Sequence, residues 1–349
     1  MVRLRGATAQ AERSEEVDIA AVDAGSLVTS GEPVLLDRLV DAVRSNPAMG
    51  HKADIAMVRE VLGATDWLGG PGDDGAVVEV GGQRMIVCGE AIFQPFVERD
   101  PYGAGVAAVL ANVNDVAAMG AVPLAIVDTL TGDDAHCRAA LEGMRYAAEL
   151  YKVPIVGGHL TVVSGPPALS AFALGVCEAP LSVTAVRPGQ RLVLLACLEG
   201  QMRADFPFFR SFDERGPELA GDVRLLARLA ADGTCEAAKD VSMAGLIGSL
   251  AMLLEPSSCG VTIDVGDLPC PVGVDLEQWL VAFPCYAFLL CVAEGQLGAC
   301  RAAASGRGLT CAELGTLDAS GRVRLRDAGR TVTVIDLTTE EVTGLRSQA

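Results

Sequence analysis

The sequence predicts an α+β chain in two parts, and three observations carry that expectation. Strand-like apolar runs occur as hairpins, with Ala76–Val80 and Arg84–Cys88 flanking Gly81-Gly82-Gln83. Stretches of helical apolar spacing, such as Leu35, Leu36, Leu39, Val40 and Val43, are mixed among them, where a regular strand–helix alternation would mark a parallel α/β sheet. The length of 349 residues, half of them hydrophobic, suits two domains with a sizeable core.

The elements follow in order. Residues 1–30 are acidic and without period, and read as a loose arm or an added strand. Leu35–Val43 and Asp54–Leu62 are helices, and the turn-rich Ser45–Lys52 between them reads as a mobile link. After the hairpin, Asp100 caps a helix that starts at Pro101 and runs toward Met119 and Gly120. Val122–Leu130 is a strand, Asp133–Tyr151 a long helix, and Val153–Val156 and Leu169–Val176 are strands. The chain changes character near Ala179–Gln190. The parts are an arm and helix (1–50), a first domain (51–182) and a second domain (183–340). The second holds strands at Arg191–Ala196, Val261–Val265, Tyr286–Val292, Arg322–Leu325 and Thr331–Ile335. It also holds helices near Glu218–Ala231 and Met243–Leu254, and a frayed tail from Thr338.

Composition narrows the function. The net charge of −18, with no dense Lys/Arg cluster, argues against nucleic acid. No apolar run reaches the roughly 18–20 residues of a membrane span, and the acidic N-terminus lacks a signal-peptide pattern, so a cytoplasmic protein without a membrane partner is expected. Eleven cysteines, an odd number with no Cys-x-x-Cys, read as buried thiols in a reducing compartment. No Walker-type Gly-x4-Gly-Lys and no Gly-x-Ser-x-Gly occurs, and only three histidines are present, which sets aside a P-loop enzyme and a serine hydrolase.

Acidic and amide residues carry the chemistry. Gly72-Asp73-Asp74-Gly75 is followed by Glu90, by Asn112 and Asp115, and by Gly157-Gly158-His159. Hard oxygen ligands of this kind hold Mg²⁺, which usually arrives with nucleotide phosphates, so ATP with Mg²⁺ is the expected cofactor. Gly70-Pro71-Gly72-Asp73-Asp74-Gly75 fits G-x-G-x-x-G, but a strand follows it where a dinucleotide fold needs a helix. Asp74 is the first metal-ligand candidate and Asp73 a further cofactor-binding candidate; a solvated acidic turn is the alternative. Asn112 and Asp115 lie three apart on one helix face, with Asn114 facing elsewhere. A mid-helix carboxylate beside an apolar stripe needs a partner or a metal. Gly157 and Gly158 follow an expected buried strand and would let backbone approach a ligand, with His159 either a ligand contact or a structural histidine.

These motifs, in this order over Lys52–Val292, resemble the aminoimidazole ribonucleotide synthetase-related superfamily, which includes thiamine-monophosphate kinase, selenophosphate synthetase and a hydrogenase maturation dehydratase. His51-Lys52-x-Asp54, Lys239-Asp240-Val241-Ser242-Met243-Ala244-Gly245 and Gly273-Val274-Asp275 resemble a synthetase-like subgroup with no settled reaction. The resemblance implies an N-terminal α/β domain, a C-terminal α+β domain, and a homodimer whose N-terminal strands form a β-barrel beside the ATP cleft. It places Glu90 where relatives carry a metal-binding Asp. Lys52 falls on a segment that closes over the phosphates, and His51 beside it is a candidate acid or base; an exposed loop is the plain alternative for both. Asp240 and Ser242 match an Asp-x-Ser segment at a helix start, with Ser242 as cap over an anion. Departures are Leu160 for a Thr and Met243-Ala244 for the Asp-Gly of many relatives. The expected function is ATP- and Mg²⁺-dependent phosphorylation of an oxygen on a small-molecule acceptor, as in a phosphotransferase or a ligase-like enzyme. The alternative is a non-catalytic ATP-binding maturation or regulatory protein.

Overall fold

The computed structural model describes residues 35–63 and 72–345, so the arm expected over residues 1–30 lies outside them. Helix α1 (Leu35–Arg44) leads to α2 (Pro47–Lys52) and α3 (Ala56–Leu62). The link between α1 and α3, expected to be turn-rich, is a capped helix. Asn46 accepts from the Ala48 amide at 3.0 Å and Pro47 takes the first turn, where its missing N–H costs nothing.

Strands β1 (Ala76–Val80) and β2 (Gln83–Ala91) form the expected hairpin, Val80 opposite Gln83. Gly81 and Gly82 both have positive φ (59° and 81°), the two-residue turn whose twist suits a hairpin. Next come α4 (Gln94–Arg99) and α5 (Pro101–Ala118), the latter capped by Asp100 through the Gly103 amide at 2.8 Å. Then β3 (Val122–Gly132), α6 (Asp134–Tyr151), β4 (Ile155–Val162) and β5 (Ala168–Cys177) complete a sheet of order β1-β2-β5-β3-β4, antiparallel except β3–β4.

Helices α5 and α6 lie together on this first half. Each carries a glycine at the point of contact: a Cβ on Gly105 would meet the Ala140 carbonyl oxygen at 2.0 Å, and one on Gly143 the Tyr102 carbonyl oxygen at 2.0 Å. On β5 the buried Leu169, Ala171, Ala173 and Gly175 alternate with Phe172 and Leu174. Gly175 lies under α5, since a Cβ there would meet Val116 at 2.4 Å. The outward row is apolar too: Val87, Val127, Phe172 and Leu174 are each 37–43 % exposed.

The second half supplies β6 (Arg191–Ala196), β7 (Gln201–Met202), β8 (Phe208–Arg210), α7 (Phe212–Arg215), α8 (Leu219–Asp222), α9 (Leu225–Ala231) and β9 (Cys235–Asp240). It continues with α10 (Gly245–Leu254), β10 (Val261–Asp264), α11 (Leu276–Val281), β11 (Phe283–Pro284) and β12 (Ala287–Val292). It ends with α12 (Leu297–Ser305), β13 (Thr310–Thr316), β14 (Arg322–Asp327) and β15 (Arg330–Asp336). The antiparallel sheet β13-β6-β12-β9 is buried on both faces: Val193 and Leu195 of β6 join one core, Leu192, Leu194 and Ala196 the other. That is why β6 and β12 are continuous apolar runs instead of alternating ones. Two shorter sheets, β10-β14-β15 and β11-β8-β7, flank it. The architecture is therefore mixed α+β.

Two expectations are corrected here. The single helix expected at 218–231 is broken into α8 and α9, at the place where Asp222 takes two guanidiniums and Arg224 donates to the Tyr151 carbonyl at 3.0 Å. The tail from Thr338 is not frayed as far as Leu345. Glu255, fully buried, accepts from the Val342 and Thr343 amides at 2.8 Å each and docks it.

Candidate functional site

Three carboxylates converge from distant parts of the chain. Asp74 comes from the turn before β1, Asp115 from the middle of α5 and Asp240 from the end of β9, and one oxygen of each lies within 4.8 Å of the others. The turn is tied to β9 because Asp74 Oδ2 accepts from the Asp240 amide at 3.1 Å. Its other oxygen accepts from Lys239 Nζ, which also lies 3.6 Å from Asp240 Oδ1. Asp115 is 8 % exposed, and among the described residues no hydrogen-bond donor reaches its carboxylate. Glu90, near the end of β2, and Lys52, the last residue of α2, complete the charged group around Asp74 and Asp240.

The electrostatics follow from burial and crowding of like charge. Burial and the neighbouring Asp240 and Asp74 push the Asp115 carboxyl well above its ordinary range. Asp240 rises to about 7, from burial and then Asp74. Glu90 rises through burial, with Lys52 and Lys239 opposing. Lys52 is pulled down, by burial first and by Lys239 next. Burial also opposes the charge on Lys239, but Asp74 and Asp240 outweigh it and hold the ammonium protonated. The site has more carboxylate than its lysines neutralise.

The remaining expected residues fall in other places. Asp73 turns away from the cluster: its Oδ2 accepts from Ser182 Oγ at 2.7 Å and from the Val183 amide at 3.2 Å, and burial followed by Asp74 raises its carboxyl to about 7. Asn112, fully buried, donates to the Ala108 carbonyl at 2.9 Å, one turn back on its own helix, and its Oδ1 lies 3.6 Å from Cys88 Sγ. Gly157, Gly158 and His159 do not follow a buried strand. They lie within β4, the exposed edge strand, where His159 sits opposite Thr129 and 3.3 Å from the Thr161 hydroxyl, so a single chain does not bring them to the carboxylates. The hydrophobicity of Val153–Val156 suggested burial, but the sheet ends there and Val156 is 63 % exposed. Gly158 has a local role, since a Cβ there would meet Asp128 Oδ1 at 1.8 Å. Ser242 is not the cap of α10: Ala244 holds that position at φ 94°, and the Ser242 amide instead donates to Ser249 Oγ at 3.0 Å. His51 is exposed beside Lys52.

Two residues of the site escaped the sequence reading. Lys239 stood out only as the first residue of the Lys239–Gly245 motif and was given no role. Asn114, expected to face elsewhere, lines a small cavity of about 120 Å³ together with Lys52, Glu90 and Asp240. Its Nδ2 donates to the Cys285 carbonyl at 3.2 Å and its buried Oδ1 has no partner. This cavity shares Phe96, Phe206 and Phe283 with a larger one of about 620 Å³. Phe208, Phe212, Tyr102 and Tyr146 also line the larger cavity, so seven of the chain's 9 Phe, 4 Tyr and 2 Trp meet in one place. Arg203 stands over the Phe96 ring at 5.8 Å and donates to Asp100 at 3.0 Å.

Similarity to known proteins identifies the family. The sequence model described as AIR synthase related protein, N-terminal domain, matches residues 72–177, and that of the C-terminal domain matches residues 199–328. An uncharacterised protein of Synechocystis sp. is 33% identical over 276 residues, 78% of this chain and 86% of that protein. The chain belongs to the AIR synthase related family. The thiamine-monophosphate kinase of Rhodopirellula baltica is 30% identical over 218 residues, 57% of this chain and 65% of the kinase. Among solved structures, Thermotoga maritima PurL complexed with ATP superposes with a TM-score of 0.70 at 18% identity, a likeness of fold. It covers 88% of this chain, which spans 52% of that PurL chain.

Proposed function

We propose that the chain is an ATP- and Mg²⁺-dependent enzyme that phosphorylates an oxygen of a small-molecule acceptor, in the manner of a kinase or of a ligase with a phosphorylated intermediate. The observation that carries this reading is the convergence of Asp74, Asp115 and Asp240, with Asp240 and Lys52 lining a small cavity that shares Phe96, Phe206 and Phe283 with a larger aromatic one. The donor set fits Mg²⁺: hard carboxylate oxygens, crowded, with more negative charge than the protein itself compensates. Asp74, Asp115 and Asp240 would hold the ion, and when bound it supplies charge neutralisation to the phosphates.

The chain's own residues do the rest. Lys52 presents an ammonium at the cavity wall, where it can meet charge developing on a transferred phosphoryl group. Burial and the neighbouring Lys239 lower its proton affinity. The aromatic cavity would take a flat, largely apolar acceptor and exclude water from its oxygen, with Arg203 and Asp100 at the wall reading its polar end. Support for ATP comes from relatives such as T. maritima PurL, whose structure was obtained with ATP.

The enzyme would act as a homodimer, because the outward row Val87, Val127, Phe172 and Leu174 is an apolar sheet face that a second copy can cover. Pairing there is also the way His159 and the β4 glycines would approach a partner's site. A cytoplasmic location suits eleven free cysteines, and among the described residues no helix is long and apolar enough to cross a membrane. The second reading, ATP binding without turnover, is favoured by Met243, which puts a thioether on the cavity wall where many relatives have a carboxylate. Calorimetric titration of ATP with Mg²⁺ and again with EDTA, on wild type and Asp74→Ala, tests the nucleotide site. Heat that needs both the metal and Asp74 supports it, and no heat under either condition ends it. Release of ADP that needs Lys52 and an added acceptor then separates the enzyme from the binding protein.

A further inference from the structure

Lysine is rarely buried without a charged partner, and Lys239 is 3 % exposed. Its ammonium contacts Asp74 and lies 3.6 Å from Asp240, two of the three carboxylates that converge. Its ammonium therefore sits against those two carboxylates, while among the described residues no hydrogen bond or ion pair ties it to Asp115. Asp115 is left 8 % exposed and without a donor among the described residues, and the Oδ1 of the adjacent Asn114 is buried and unpaired. Four acidic side chains (Asp74, Asp115, Asp240, Glu90) group with two lysines (Lys239, Lys52), so acids outnumber bases by two.

Granted the metal-dependent reading proposed for this site, we infer that Lys239 is a resident cation occupying one cation seat of the cluster, so that the chain takes a single divalent ion, on the Asp115 side. A strong fixed ammonium between Asp74 and Asp240 repels a second ion there and orients both carboxylates toward the first. Lys239 is a positioning residue: it acts through Asp74 and Asp240 and does not itself touch the acceptor. The plain alternative is that Lys239 only ties β9 to the turn before β1. That alternative predicts lost stability on its removal and no change in metal number.

The test is titration of Mn²⁺ alone, without nucleotide, into the full chain, with free Mn²⁺ followed by electron paramagnetic resonance. Wild type and Lys239→Arg are expected to bind one Mn²⁺ per chain. Lys239→Met is expected to bind two, with the first at least tenfold tighter than in wild type. Lys239→Gln, which keeps a donor for Asp74, gives the same readout if the Met variant does not fold. Two ions on wild type, or one ion with unchanged affinity on both neutral variants, would overturn the inference while leaving the metal-dependent reading intact. No Mn²⁺ on wild type would overturn both.

Discussion

Two buried ion clusters in this molecule are built on opposite principles. Around Asp222, fully buried, one carboxylate meets two guanidiniums: Arg215 donates to both of its oxygens at 2.9 Å and Arg307 donates to Oδ1 at 2.5 Å. The Asp222 carbonyl is taken by Tyr286 at 3.0 Å. Each oxygen has a donor, and the cluster clamps α7, α8 and the end of α12 together. Around Asp74, carboxylates outnumber cations, Asp115 has no donor among the described residues, and proton affinities are pushed upward. A closed cluster with saturated hydrogen bonds serves architecture. An acid-rich one with an idle carboxylate carries a charge imbalance that a proton or a bound cation relieves. The same residue types thus divide into scaffold and site by how completely they are paired.

The largest effect expected from this contrast is at the closed cluster. Asp222→Ala strands two partly buried guanidiniums and should cost about 3–5 kcal/mol of stability. Chemical denaturation would show it; a loss under 1 kcal/mol would mean the two clusters do not differ in the way stated. At the open cluster the sign reverses. Asp115→Asn removes surplus negative charge, so the metal-free protein should become more stable by about 1 kcal/mol while its affinity for Mg²⁺ falls by roughly 10–100-fold. Thermal melts in EDTA and in Mg²⁺ measure both at once, and a destabilised metal-free Asp115→Asn would make Asp115 part of the scaffold.

A smaller effect concerns strain beside the open cluster. Ala244 is held at φ 94°, a conformation glycine adopts freely and alanine only at a cost, at the position where many relatives carry glycine. Ala244→Gly should raise stability by about 1 kcal/mol, read from the denaturation midpoint at unchanged slope. No gain would show that the alanine methyl packs well enough to offset its backbone cost. The smallest effect is at the exposed pair of His136 and Asp133 on the α6 cap, outside both clusters. Its hydrogen bond to Asp133 raises the His136 proton affinity above the ordinary value. The pair therefore stabilises fully below the ordinary histidine range and loses that contribution as pH rises through the raised one. Comparison of wild type and His136→Gln melting at pH 5 and pH 9 should show a gap only at the lower pH.

Much of the first half was legible in sequence because its signals are local. The Gly81-Gly82 hairpin, the Asp100-Pro101 helix start and the Asp133 start of α6 each depend on residues within a few positions of one another. Asp74, Asp115, Glu90 and Lys52 stood out by residue type and order. The errors share one cause. Asn114 was expected to face elsewhere, yet it lines the cavity with Lys52, Glu90 and Asp240. The strand at Gly157 was read as buried because its residues are apolar, and it proved to be a sheet edge. Position within a sheet, and which side of a fully buried helix meets a neighbour, are decided by chain segments far away in sequence.

The sequence by itself determined the family, the α+β class, the local caps and turns, and an inventory of carboxylates suited to a hard cation. Tertiary structure alone decided that β9 docks its Lys239 and Asp240 against the Asp74 turn, 165 residues apart in the case of the lysine pair. It also decided that seven scattered aromatic side chains share one cavity. The physical reason is that capping and turn geometry are short-range and are written in neighbouring residues. Charge pairing and cavity shape depend on distances in space, and those are fixed only when the two buried faces of the β13-β6-β12-β9 sheet find their cores.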